Sequence, residues 1–198
     1  KKFIYSFFLI TLLLFISFVI YISILGVETS KFNNIITQEI KKKDPNIQLS
    51  LDKIKIKFDI KKIQIYISTF EPQIIYKDIR IPIKKINLYS KISSILKSKN
   101  EINQATVLIE NFNIEDIQKL AVRIKPSNFK TYLLNNLYNG EIEKILIDVK
   151  LGQNFKINDY KVNGSLKKVN VKAFNDLLIQ DVSLNFISVS AGRIFEYL

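Results

Sequence analysis

Residues 54–67 read Ile54-Lys55-Ile56-Lys57-Phe58-Asp59-Ile60-Lys61-Lys62-Ile63-Gln64-Ile65-Tyr66-Ile67. Apolar residues alternate with Lys, Asp, Gln and Tyr, the period of an extended chain with one dry and one wet face. The alternation slips by one residue between Ile60 and Ile63. The string apolar–charged–Lys–apolar–x–apolar that contains the slip occurs five times, starting at Leu51, Ile60, Ile83, Ile142 and Leu166. None of the slips carries Gly or Pro, so a β-bulge is expected at each rather than a tight turn. Bulges add the twist that a long sheet needs.

The same alternation extends outward from this stretch. It covers Ile75 to Ile83, Ile145 to Leu151 and Val182 to Phe186, which predicts a half-buried antiparallel sheet. Pro82 is expected at an edge or a bulge. Asn163-Gly164 fits either a turn or a glycine inside a strand. Helical spacing interrupts the strands. Phe32, Ile35, Ile36 and Ile40 share one face of a helix that Thr29-Ser30 caps and Pro45 ends, with Glu39 and Lys43 spaced to pair. Asn113 caps a short helix from Ile114 to about Leu120, with Glu115 and Asp116 in its first turn. Pro126-Ser127 starts another helix, closed by Gly140. Ile92 to Leu96 reads as one more helical turn. No linker rich in Gly, Ser or Pro divides residues 28–198, which read as one extramembrane unit.

Ahead of it, Phe3 to Leu25 is 23 residues without a charge. At 1.5 Å per residue that is about 34 Å, enough to cross a hydrocarbon core. Lys1 and Lys2 precede it, and Tyr5 and Tyr21 lie where interfacial anchors belong. A cleaved signal would have a shorter apolar core and a small-x-small site, which Leu25-Gly26-Val27-Glu28 is not. Residues 1–27 are therefore expected to be a cytoplasmic stub and one membrane span, with the bulk on the far side. The segment lacks the early glutamate of a pilin-like helix. The chain starts at Lys1 and contains no Met, so it reads as a piece of a longer one.

The composition removes most chemistry. His, Cys, Met and Trp are absent from all 198 residues. That leaves no imidazole base, no thiolate, no disulfide and no zinc site built on Cys or His. The net charge of +12 comes from 27 lysines and 3 arginines, spread along the chain. Nucleic-acid readers favour clustered arginine for bidentate contacts, so no nucleic-acid partner is expected. Ser94 with Lys97 and Ser165 with Lys168 match Ser-x-x-Lys, but the partner motifs of that chemistry are missing. Glu115 and Asp116 read as helix-dipole partners, and Glu141 with Glu143 offers too few ligands for a cation. With five glycines and no phosphate loop, neither an enzyme nor a bound cofactor or metal is expected.

The feature left to carry function is the apolar face of the sheet. The expected helices total about 35 residues, and one helix, ~10 Å wide, covers roughly two strands, ~4.8 Å apart. Part of the face therefore lacks a partner within the chain. Acyl chains suit it, being apolar, flexible and indifferent to a polar code. The candidate lipid-facing residues are Ile54, Ile56, Phe58, Ile63, Ile65 and Ile67. The competing expectation is a membrane-anchored structural or assembly factor whose sheet is a closed core with no lipid ligand.

One span, an amphipathic helix and a run of amphipathic strands resemble the amino-terminal part of AsmA-like proteins, including YhdP- and TamB-type members, which are related to the chorein-like bridge lipid-transfer proteins. The stretches that carry the resemblance are Asn46 to Ile54, Ile74 to Ile79, and Tyr160 to Val171 followed by Leu177 to Leu184. It implies an α+β architecture: a transmembrane helix, an amphipathic helix and a long twisted antiparallel sheet forming an open groove, with short helices. It further implies a bacterial inner-membrane anchor with its N-terminus cytoplasmic and a periplasmic β-groove. Such a module would contribute to phospholipid transport or outer-membrane biogenesis, with the inner membrane, phospholipid acyl chains and other envelope proteins as partners.

Overall fold

A computed structural model describes residues 2–96, 102–123, 128–152, 156–173 and 177–189. Helix α1, Lys2–Ile24, is the apolar segment. Its last turn closes with Leu25 and Gly26 both donating to the Tyr21 carbonyl, at 2.9 and 3.3 Å. Gly26 has φ +74°, and a Cβ there would meet the Ile56 carbonyl oxygen at 2.8 Å, so this helix stop requires glycine. The chain turns at once into β1, Val27–Thr29, which pairs with β3. The cap expected at Thr29-Ser30 is not made: Thr29 ends β1 and accepts from the Lys31 N–H at 3.2 Å, and α2, Asn33–Lys43, starts after Phe32 with no side-chain cap. Glu39 pairs with Lys42 at 2.7 Å, and the side chain of Lys43, expected to pair with it, lies outside the described residues. Ile36 and Ile40 are half-buried, while Phe32 and Ile35, expected on the same buried face, are exposed.

The remaining strands are β2 Ile47–Ser50, β3 Ile54–Asp59, β4 Gln64–Phe70, β5 Gln73–Tyr76, β6 Ile79–Ile81, β7 Ile83–Lys91, β8 Gln104–Asn113, β9 Leu137–Tyr138, β10 Glu141–Leu151, β11 Ile157–Lys172 and β12 Leu178–Val189. The helices among them are α3 Ile92–Leu96, α4 Ile114–Val122 and α5 Asn128–Asn136. Pro126 and Ser127, expected to start α5, lie outside the described residues. The described strands form a nine-stranded antiparallel sheet in the order β1-β3-β4-β7-β8-β10-β11-β12, with β9 beside β11, and a second sheet in the order β2-β5-β6.

That second sheet corrects the expectation of one long sheet. Ile75 to Ile83 is not a single strand, because Lys77 and Asp78 adopt φ +47° and +66° and turn β5 back on β6. Positive φ at two successive residues is the two-residue hairpin geometry that matches strand twist. Tyr76 pairs with Ile79 and Ile75 with Arg80, so the two-residue loop changes the parity of the face: Ile75 lies on the side away from Ile79 and Ile81, and the odd-numbered isoleucines that suggest one strand do not share a face. Pro82 then carries the chain from the small sheet into β7, and its carbonyl accepts from Glu110 at 3.2 Å.

The five repeat copies divide by context. Those at Ile83, Ile142 and Leu166 fall where the register of β7 with β8, and of β10 and β11 with their neighbours, shifts. In β11 the extra residue is Lys168 at φ +52°, and its N–H donates to Ser183 Oγ at 3.4 Å. The copy at Ile60 is instead the β3–β4 turn, against the bulge expected there. Asp59 Oδ1 accepts from the Lys62 N–H at 3.1 Å, and Ile63 takes φ +49°. The copy at Leu51 joins the two sheets, and Asn33 Nδ2 ties the joint to α2 by donating to the Leu51 and Asp52 carbonyls at 3.0 and 2.7 Å.

Gly164 lies within β11, opposite Phe186 of β12 and Ile145 of β10. A Cβ on it would stand 2.2 Å from Phe186 Cζ, so the ring occupies the space that a side chain would need.

Candidate functional site

Residues paired across an antiparallel ladder share a face, so the register sorts the whole sheet. One rung runs Val27, Ile56, Ile67, Leu88, Ala105, Val149, Tyr160. The next runs Thr29, Ile54, Thr69, Ile86, Val107, Ile147, Val162, Ser188. A third joins Ile83, Ile109, Ile145, Gly164 and Phe186. On the outer side of the first rung, Phe58 faces Ile65 and Ser90. At ~4.8 Å between strands and ~6.8 Å between rungs, these rungs span an envelope of roughly 30 by 20 Å.

The opposite face is mixed: one rung is polar from β1 to β11 and ends on Val189, and the next carries Phe70, Leu108, Leu146 and Ile187 beside Lys85 and Asn163. The polar rung runs Glu28, Lys55, Ser68, Asn87, Thr106, Asp148, Lys161. Ser68 Oγ donates to Asn87 Oδ1 at 2.7 Å, and Asn87 Nδ2 donates to Thr106 Oγ1 at 3.1 Å. Lys55 holds Glu28 at 2.9 Å, and the Glu28 carboxyl lies below its ordinary range because that lysine hydrogen-bonds to it and attracts its charge. Gln104 donates to Asp148 at 2.7 Å, and Lys150 pairs with Asp159 at 2.8 Å. Burial raises the Tyr66 hydroxyl above its usual value, with Tyr89, 5.2 Å away between ring centres, and Asp59 adding to the effect.

The apolar face is closed at one end. Phe112, Ile114, Ile142 and Val169 form a buried cluster, with Ile81 of the small sheet and Ile117, Leu120 and Leu137 packed against it. This is the end where β3, β7 and β10 begin and β4 and β8 finish. The closure follows from α4, which buries Ile114 and Ala121 and places Glu115 and Asp116 in its first turn, with Asp116 paired to Lys119 at 2.7 Å. The Gln118 amide donates to the Leu137 carbonyl at 2.7 Å and fastens α4 to β9. Away from this end the apolar rungs hold half-buried side chains. Apart from Ile54 and Thr69, no member of the first two rungs is fully buried.

The six candidate residues separate accordingly. Ile56, Phe58, Ile65 and Ile67 lie together on the half-buried part of the face. Ile54 shares their face but is 0% exposed, so it offers no surface to a ligand. Ile63 does not join them: it sits in the β3–β4 turn, unpaired and 64% exposed. The face continues through Leu88, Val107, Ile147 and Val162, whose alternation was visible but whose register was not.

The end of the face away from α4 lies next to α1. Lys57 Nζ donates to the Ile24 carbonyl at 3.0 Å, and Ser23 shares a recess of about 400 Å3 with Phe58, Asp59, Ile60, Lys61, Tyr66 and Tyr89. α1 is the one described helix long and apolar enough to cross a membrane, and it buries none of its residues against the rest of the chain. Among the described residues no group of three or more acidic side chains converges on a common point. No protein-family model, curated protein or solved structure matches the chain.

Proposed function

We propose that this chain is a membrane-anchored lipid-binding or lipid-transfer module of a bacterial envelope, which holds acyl chains on the apolar face of its large sheet. One observation supports the proposal: among the described residues, rungs of mostly apolar side chains cross the sheet, and the buried cluster that covers them lies near α4. Away from that cluster the rungs leave Ile56, Phe58, Ile65, Ile67, Leu88 and Ile147 half-buried on one face, a contiguous apolar strip of the kind that marks an interaction site. Lipid tails match its chemistry, because the rungs offer dispersion contacts and no polar code. The anchor is α1, with its N-terminus cytoplasmic and the sheet periplasmic, as the two leading lysines favour. The resemblance to AsmA-like proteins points the same way.

A photo-crosslinking side chain placed at Ile65 or Ile147 is expected to capture phospholipid in cells, and one at Lys161 is not. Equal capture on both faces, or none on either, sinks the lipid proposal and leaves a closed structural module. Alkaline phosphatase fused after Leu198 is expected to be active. Activity of a cytoplasmic reporter at the same point would reverse the orientation.

A further inference from the structure

We infer that the β3–β4 turn, Ile60-Lys61-Lys62-Ile63, is a second membrane contact that enters the lipid interface beside α1. Ile60 and Ile63 are 50% and 64% exposed, and Lys61 and Lys62 between them are exposed as well. Stepping back along α1 from Ile24 to Ser23 moves along β3 from Lys57 to Ile60 and Lys61. The turn therefore points in the direction from which the apolar helix arrives. Ile60 is three residue steps from Lys57, up to about 10 Å of strand. The polar zone of one leaflet is about 5–7 Å deep. With Lys57 fixed at the last turn of the span, the turn reaches the headgroups and the outer acyl carbons.

The backbone supplies a second, independent observation. Ile63 holds φ +49°, a left-handed conformation that a β-branched residue adopts at a cost and that Gly or Asn adopts freely. Nothing buries the side chain in return. A strained, exposed isoleucine is poorly chosen for the turn alone and well chosen for an apolar contact outside the chain. The two lysines complete the arrangement. Their stems extend the apolar surface while the ammonium groups meet anionic headgroups. The contact is continuous with α1 and would hold that end of the apolar face against the bilayer. The inference rests on α1 crossing a bilayer and does not depend on lipid occupying the sheet.

The chain has no cysteine, so single cysteines at Ile60, Ile63, Phe8 and Glu143 each give one site for a nitrobenzoxadiazole label. The full chain is reconstituted in vesicles of phosphatidylethanolamine and phosphatidylglycerol, and quenching by doxyl-labelled lipid is compared with quenching by aqueous iodide. Labels at 60 and 63 are expected to be quenched by shallow doxyl lipid at least twofold more than the label at 143, and the label at 8 by deep doxyl lipid. Iodide quenching at 60 and 63 as strong as at 143, with Phe8 still lipid-quenched, overturns the turn contact and leaves the span intact. Absence of lipid quenching at Phe8 overturns the span and the turn contact with it. A I60S/I63S variant, with the label moved to Lys61, is expected to lose the lipid quenching while retaining the β-sheet circular dichroism of the parent. Unchanged lipid quenching in that variant also overturns the inference.

Discussion

The two ends of one sheet face use the same residue types for different ends. Near α4, Phe112, Ile142 and Val169 are sealed by a helix and by the edge of a second sheet. Near α1, Ile56, Phe58, Ile65 and Ile67 are of the same size and hydrophobicity, and they stay half-buried. What separates them is neither composition nor strand propensity but the placement of α4, which follows β8 without a linker and folds back over its last residues. Isoleucine at period two thus specifies a face and leaves its covering to whatever element comes next in the chain.

Charge insertion is the sharpest way to test that difference. Val169→Asp is expected to abolish the folded state, because an unpaired charge at a site with 0% exposure costs several kcal/mol, comparable with a domain's total stability. Ile65→Asp is expected to leave the thermal transition nearly in place and to abolish lipid capture, since its charge can reach water. Equal unfolding by both would show that the two ends are packed alike. Gly164→Ala comes next in size. Phe186 must move to admit the methyl group, at about 1–3 kcal/mol by denaturant unfolding. Adding Phe186→Leu is expected to recover part of the loss in a double-mutant cycle.

Ile63→Gly is expected to stabilise the sheet. Relief of roughly 1–2 kcal/mol of left-handed strain outweighs the ~0.5–1 kcal/mol that a glycine adds in unfolded-state entropy. A raised denaturant midpoint checks it. The smallest effect belongs to the exposed Glu28–Lys55 pair, which ties β1 to β3. Its carboxyl is lowered in the folded chain, so the stability it contributes is complete above the ordinary glutamate range and is lost as pH falls through the lower, folded value. Glu28→Gln is expected to remove that part of the acid dependence and to leave the neutral-pH melting temperature almost unchanged.

Much of this architecture was legible because strand period and helix period are distinct signals. The apolar helix, the helix after Asn113, the half-buried strands and the shifts at Ile83, Ile142 and Leu166 all followed from spacing. The hairpin at Lys77-Asp78 did not, since neither residue is a glycine and the isoleucines on either side happen to continue at odd positions although the turn puts Ile75 and Ile79 on opposite faces. The turn at Ile60–Ile63 was hidden by its likeness to the true bulges. Its distinguishing mark is Asp59, whose carboxylate accepts from the Lys62 N–H; the matching position holds Ser50, Pro82, Glu141 and Ser165 in the other copies. Of the site, five of the six residues fell on one face. The rest of that face lay in strands whose partners only the register reveals. Ile109-Glu110-Asn111-Phe112 repeats the phase slip with Asn in place of Lys, and Asn111 adopts φ +54°. A pattern defined by apolar spacing alone would have found it.

The surplus residue at Lys168 also bears on how this gene can tolerate loss of a codon. A single deletion inside a β-strand normally turns every downstream side chain inside out. In β11, removing Lys161 would do this to Val162, Leu166 and Val169 together. Removing Lys168 would instead convert the three-residue step from Leu166 to Val169 into the two-residue step that β12 already makes from Leu184 to Val182. The reading frame of the face survives there, and the sheet loses only local twist. Length variation in this chain should therefore gather at its phase slips, inside long strands, as well as in its loops.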